Sequence, residues 1–278
     1  MSYLLKKQVI GLLKKEGLAP LKRLGQNFLI DCQALQKIIG SADLKKTDTV
    51  LEIGAGIGNL TFELAKKAKR VIAVEKDPKM IEILKDLLEC QNVKNVKIIE
   101  GNILKFKTDS LELKTYKLVA NLPYYITSPV IRKFLESKNP PSSIVLMVQK
   151  EVAQRIAAKP PHMSLLAVSV QFYAEPKIIS YVSKGSFWPR PKVDSAIIKI
   201  VPRKSAEIDV TPRSFFAIAK AGFSQPRKQI LNNFFGGLGI NKEVAKDWLL
   251  KNKIKPEQRA ETLNVDDWEN LAKSFPTP

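Results

Sequence analysis

The tetrapeptide Asn121-Leu122-Pro123-Tyr124 has residue types suited to one demanding kind of chemistry. The exocyclic amine of a nucleobase is a poor nucleophile, because its lone pair is delocalised into the ring. Two hydrogen-bond acceptors aimed at its N–H groups hold it and favour a more tetrahedral nitrogen with the lone pair freed. Asn121 Oδ1 can be one acceptor and a backbone carbonyl of the Leu122-Pro123 segment the other. Pro123 fixes its own φ and brings no N–H to interfere. Tyr124 can stack on a base extruded from its helix or face a sulfonium cation. The alternative is structural: a turn that ends a strand, plugged by an aromatic ring.

A second constellation lies upstream. Residues 49–53, TVLEI, read as a strand, followed by Gly54, Gly56 and Gly58, and then by Leu60, Leu64 and Ala68 at helical spacing. Glycines let a ligand approach the backbone, and the helix N-terminus behind them favours polar ligand groups. The spacing is G-x-G-x-G, not the G-x-G-x-x-G of dinucleotide folds. Glu75 ends the next strand, residues 70–75, where its carboxylate can accept from both ribose hydroxyls of an adenosine or simply be solvated. The combination points to an adenosine-containing cofactor, S-adenosylmethionine first and NAD second. Asn102 follows the strand at 96–100. At the carboxyl end of a parallel strand it falls near the adenine, although Asn is also a common turn residue. Gly25-Gln26-Asn27-Phe28-Leu29 reads either as a loop between helices or as a lid whose Gln26 and Asn27 supply amide groups.

The elements that must position these residues alternate. Strands are expected at 49–53, 70–75, 96–100, 117–120, 143–148, 171–182 and 195–201. Helices are expected at 3–16, 33–39, 61–67, 78–89, 129–136, 151–158 and 164–170, with Pro78 in a first helical turn. Seven strands with intervening helices imply an α/β, doubly wound, mostly parallel sheet with a late antiparallel hairpin. Residues 201–212 read as a linker. Beyond it the pattern is helical, at 212–221, 227–235, 242–252 and 265–273, with Gly236-Gly237 and Gly239 separating the second helix from the third. The expected division is a catalytic domain at 1–202 and a small all-α domain at 203–278.

Charge narrows the function. The net charge is +19. Residues 1–202 carry 33 basic and 18 acidic side chains (+15), and the remainder 13 and 9 (+4). Such a field favours polyanions, above all RNA or DNA. No run of 18 apolar residues suggests a membrane span, and the Lys-rich amphipathic start lacks the features of a signal peptide. Cys32 and Cys90 have no motif spacing, which fits a reduced, cytoplasmic protein. With His162 the single histidine, no metal site and no nucleophile motif is readable.

Taken together, the segments LGQNFLID (24–31), LEIGAGIGNLT (51–61), VEKD (74–77), NLPYYITSPVI (121–131) and FWPRPKVDSAII (187–198) resemble the bacterial small-subunit ribosomal RNA adenine dimethyltransferases. The likeness continues in AGFSQPRKQILNNF (221–234) and RAETLNVDDWENLA (259–272). It implies a Rossmann-like class I S-adenosylmethionine methyltransferase fold. It also implies methylation of two adjacent adenosines, in the 3′-terminal hairpin of small-subunit rRNA, within an immature 30S subunit. By motif, Asn27, Leu29, Gly54, Glu75, Asn102 and Asn121 correspond to cofactor-binding positions, to which Gln26, Gly56 and Lys76 are added. Asn121, Pro123 and Tyr124 correspond to the catalytic loop, and Phe187 to a second aromatic that packs against the target base. Two positions depart from the family pattern: Asn102 stands where Asp is usual, and Gln225-Pro226-Arg227 lacks a frequent second arginine. The expected protein is a cytoplasmic monomer. Its competing readings are a non-catalytic RNA- or DNA-binding factor and a large-subunit rRNA methylase of the macrolide-resistance type.

Overall fold

The computed structural model describes residues 4–21, 24–106, 113–204 and 209–276. Residue 3, expected to open the first helix, and residues 205–208 of the expected linker lie outside the described residues. The chain divides into two compact units, Met1–Ala153 with Lys177–Pro202, and Gln154–Pro176 with Arg203–Pro278.

The first unit is built on a seven-stranded sheet. Its strands are β2 (Thr49–Ile53), β3 (Arg70–Glu75), β4 (Val96–Glu100), β5 (Lys117–Asn121), β6 (Ser143–Gln149), β7 (Ala174–Val182) and β9 (Ser195–Pro202), in the order β4-β3-β2-β5-β6-β9-β7. The pairs β4-β3, β3-β2, β2-β5 and β5-β6 are parallel, and β6-β9 is antiparallel. The central strands are continuous β-branched and aliphatic runs because both faces are covered, as parallel sheets require. Side chains alternate between faces. Val50, Val71, Val119 and Val145 pack with Leu35 and Ile38 of α2 (Cys32–Ala42) and Leu64 of α3 (Asn59–Lys67). Ala73 packs with Phe62 of α3 and with Leu84 and Leu88 of α4 (Pro78–Cys90). Asp31 caps α2 through Gln33 N and Ala34 N, and Asp77 caps α4, with Pro78 in the first turn as expected.

Three sequence expectations are corrected. The strand expected from residue 171 begins at Ala174, because α7 (Leu165–Tyr173) carries its apolar face to its last turn. A single cut after residue 202 gives way to a division in which residues 154–176 join the helical unit, since Met163, Ala167, Val168 and Phe172 belong to its core. That core stacks Phe172 on Phe215 of α8 (Pro212–Gly222), ring centroids 4.0 Å apart, and also buries Trp268 of α11 (Val265–Lys273). Finally, Gly236-Gly237 does not break α9 (Ile230–Leu238). A Cβ at Gly237 would meet Ala221 Cβ at 3.2 Å, so glycine lets α9 approach α8 closely; the helix ends at Gly239, φ +69°.

The turn after β2 depends on one glycine. Gly58 caps α3 at φ +90°, and a Cβ there would lie 2.6 Å from Leu84 Cδ1 and 2.9 Å from the Phe62 ring. Gly58→Ala is expected to combine left-handed strain of about 1–2 kcal/mol with core overlap. Calorimetry should show the thermal midpoint lowered by roughly 5–10 °C; an unchanged midpoint would mean the turn relaxes freely.

Candidate active site at the carboxyl ends of the central strands

β2 lies between β3 and β5, so the connections leaving β2 and β5 part on either side of a crevice at their carboxyl ends. That is where open α/β sheets bind ligands. The crevice here is a cavity of about 1220 Å³, counting its open mouth, bounded by residues 24–29, 52–57, 74–76, 101–104 and 121–126 and by Phe187. Every residue assigned to the cofactor or the target base lines it. They come from six separate chain segments, brought together only by the sheet.

The floor is backbone. Gly54 (φ +74°) and Gly56 (φ +55°) take conformations closed to most side chains, and a Cβ on Gly56 would press on the Phe28 ring at 3.4 Å. Glu75, 9% exposed, holds this floor: its Oε2 accepts from Gly56 N at 2.8 Å, and its Oε1 from Lys76 N at 2.7 Å and Asp77 N at 2.9 Å. Lys76 thus participates through its backbone, and its side chain is exposed. Asn102 serves both of its readings. It lines the cavity and forms a turn in which its Oδ1 accepts from Leu104 N at 3.0 Å.

The segment 24–29 is fastened over the cavity by polar ties that the sequence did not show. Gln26 donates from Nε2 to Asp77 Oδ2 at 2.6 Å, while its Oε1 accepts from Leu21 N at 2.8 Å. Each end of its amide thus has a protein partner, and Gln26 braces the loop while lining the cavity. Asn59, buried at the start of α3, donates to Leu29 O at 2.8 Å and pairs with both backbone groups of Leu4. β1 (Phe28–Leu29) and β8 (Phe187–Trp188) form an antiparallel ribbon, with Leu29 opposite Phe187 and the Phe28 and Trp188 rings stacked. Phe187 is consequently buried, 3% exposed, and forms part of the cavity wall.

The tetrapeptide ends β5. Asn121 donates from Nδ2 to Asn27 O at 3.2 Å, which leaves Oδ1 as its acceptor. Asn27 in turn donates from Nδ2 to Gly25 O at 3.1 Å. Pro123 O accepts from Ile126 N at 3.1 Å, closing the short 3₁₀ turn Tyr124–Ile126. The Tyr124 hydroxyl and Ser195 Oγ share a 2.7 Å hydrogen bond, which fixes the ring. Burial pushes that hydroxyl's pKa up; the Ser195 bond opposes the shift and the Asp194 carboxylate adds to it.

Glu52 was missed by sequence reasoning. It lines the cavity at 1% exposure, and its Oε2 has no hydrogen-bond partner. Burial raises its carboxyl pKa to about 8; the neighbouring Thr61 hydroxyl opposes the rise and the Glu75 carboxylate adds to it. The readable signal was a charged residue inside an otherwise apolar buried strand, immediately before a glycine turn. Among the described residues no cluster of His, Cys, Asp and Glu is suited to a metal ion, and no helix is long and apolar enough to cross a membrane.

The sheet order and the cavity at the switch point define a Rossmann-like methyltransferase fold, and comparisons with known proteins narrow it. The chain belongs to the ribosomal RNA adenine dimethylase family, whose model matches residues 20–276. A ribosomal RNA small subunit methyltransferase A from Dehalococcoides mccartyi (strain CBDB1) is 48% identical over 257 residues, covering 91% of this chain and 88% of the relative. Among solved structures, a dimethyladenosine transferase from Plasmodium falciparum superposes with TM-score 0.73 at 30% identity, covering 87% of this chain and 94% of the other. The 23S rRNA methyltransferase ErmE shares the fold, with TM-score 0.74 at 24% identity over 90% of this chain and 99% of its own.

A carboxyl whose pKa is raised in the folded state favours folding most below its unfolded value, near 4.5, and that contribution is lost as pH rises through about 8. Glu52→Gln removes the titration. The stability of the wild type relative to the variant should therefore fall between about pH 4.5 and 8, by on the order of a few kcal/mol, and level off above. Denaturant titrations of both proteins across that range check this; parallel curves would place the Glu52 pKa near its ordinary value.

Proposed function

We propose that this protein uses S-adenosylmethionine to methylate the N6 amines of two adjacent adenosines in the 3′-terminal hairpin of small-subunit rRNA, within an immature subunit. The observation that carries the reading is the orientation of Asn121: its Nδ2 is held by Asn27 O at the cavity wall and its Oδ1 remains an acceptor beside the glycine floor. The small-subunit names of the relatives support this target over a large-subunit one.

The cavity suits the cofactor. Gly54 and Gly56 admit it against the backbone, and the Glu75 carboxylate, already oriented by three N–H groups, keeps lone pairs for ribose hydroxyls. Asn102 would present an oxygen that an adenine amine shares with Leu104 N. When bound, S-adenosylmethionine supplies a methyl group on a positively charged sulfur. The Glu75 carboxylate suits that charge, and the +15 exterior suits the RNA. Gln26 and Asn59 keep the 24–29 segment over the site.

The target adenine enters between Tyr124 and the Phe187 wall. Asn121 Oδ1 accepts from its amine, and the Leu122 carbonyl serves as second acceptor, because Pro123 O is already engaged by Ile126 N. These two bonds hold the amine and expose its lone pair. The alkylated nitrogen is acidic, so its proton passes to solvent without a strong base. Much of the rate comes from alignment. We place the protein in the cytoplasm as a monomer.

Asn121→Ala removes the acceptor but leaves Pro123 and Tyr124. Cofactor and RNA affinity should persist, while single-turnover methylation falls by roughly 10²–10³, matching a lost transition-state bond of about 3–4 kcal/mol. Residual product should be mostly monomethyl. The assay uses labelled cofactor with undermethylated small subunits, and large subunits in parallel. Wild-type rate and dimethyl yield from the variant, or methylation of large subunits alone, would overturn the assignment.

A further inference from the structure

Two tyrosines follow Pro123, and the fold treats them differently. Tyr124 is partly buried and hydrogen-bonded to Ser195. Tyr125 also lines the cavity, yet 58% of it is exposed, the largest fraction among the exposed large hydrophobic side chains of the described residues. Its ring is nonetheless supported. Gly25, at φ +64°, brings the 24–29 segment against it, so that a Cβ on Gly25 would lie 3.5 Å from Tyr125 Cδ1 and Cε1 and 3.3 Å from Pro123 Cβ. The neighbouring backbone is held by the 3₁₀ turn and by the β1–β8 ribbon. Tyr125 is thus a braced aromatic ring facing water at the mouth of the cavity, one residue beyond the tetrapeptide that holds the target base.

We infer that Tyr125 is a stacking platform for the nucleotide adjacent to the adenosine in the pocket; this rests on the function proposed above. Drawing one base out of a strand deprives its neighbour of a stacking partner. An exposed ring at the point of exit replaces that partner, and aromatic stacking tolerates any base because each has a π-face. With two adjacent target adenosines, the neighbour is itself a substrate. Tyr125 therefore holds one adenosine outside while Tyr124 and Asn121 hold the other inside, and the pair exchange places between rounds.

The test compares wild type, Tyr125→Ala and Tyr125→Phe on undermethylated small subunits. A hairpin RNA carrying 2-aminopurine beside the target adenosine supplies a second readout. Tyr125→Ala should lower kcat/KM by roughly 5- to 100-fold, chiefly through KM, with cofactor affinity and melting temperature unchanged. Tyr125→Phe, which keeps the ring, should recover most of the loss. The 2-aminopurine fluorescence should be quenched on wild type and remain bright on Tyr125→Ala. Unchanged KM and quenching in Tyr125→Ala, or a loss that appears in cofactor affinity instead, would overturn the inference. Absence of methylation by the wild type would instead overturn the function on which it rests.

Discussion

The site depends on the Glu75 carboxylate. It ends β3, is almost fully buried, and accepts three backbone N–H bonds: one from the glycine turn after β2 and two from the segment that starts α4. Charge-assisted bonds of this kind are stronger than neutral ones, and here they join the ends of two adjacent parallel strands. Gly56 keeps its left-handed conformation against this anchor. The same carboxylate faces the cavity, so the group that fixes the floor is also the one offered to a ligand.

Above that floor the structure is fastened differently. The sheet is held by continuous apolar burial, and the 24–29 segment combines the burial of Phe28 and Leu29 with single polar ties: Gln26 to Asp77, Asn59 to Leu29, Asn121 to Asn27, and a two-residue ribbon. Charge is partitioned between inside and outside. The Glu75 carboxylate lies inside, while the lysines and arginines that give the first 202 residues their +15 excess lie mainly outside. A polyanion is attracted to the surface while the interior remains suited to a cation.

Glu52 and Tyr125 illustrate two ways in which a cavity acquires properties that no local pattern announces. Glu52 occupies a strand position whose neighbours are aliphatic, and complete burial, not any sequence partner, sets its protonation. Tyr125 follows a tyrosine of the same type, and only the turn geometry separates the partly buried ring from the exposed one.

The sequence by itself determined most of the sheet and much of the site's membership. The β-branched runs at 49–53, 70–75 and 143–148 became strands because a parallel sheet covered on both faces needs continuous apolar segments, and that need is written locally. The glycine turn, Glu75 and the Asn-Leu-Pro-Tyr loop were legible for the same reason, since each requires a residue type at a fixed position along the chain. Tertiary structure alone decided the commitments across distance. It tied Gln26 to Asp77, gave Asn59 its hold on Leu29, paired Phe28-Leu29 with Phe187-Trp188, and assigned residues 154–176 to the helical unit. It also carried α9 through Gly236-Gly237, where close packing of Gly237 on Ala221 outweighs helix propensity. Side-chain amides and short strands find partners by spatial proximity, and proximity between residues tens or hundreds of positions apart exists only once the sheet has formed.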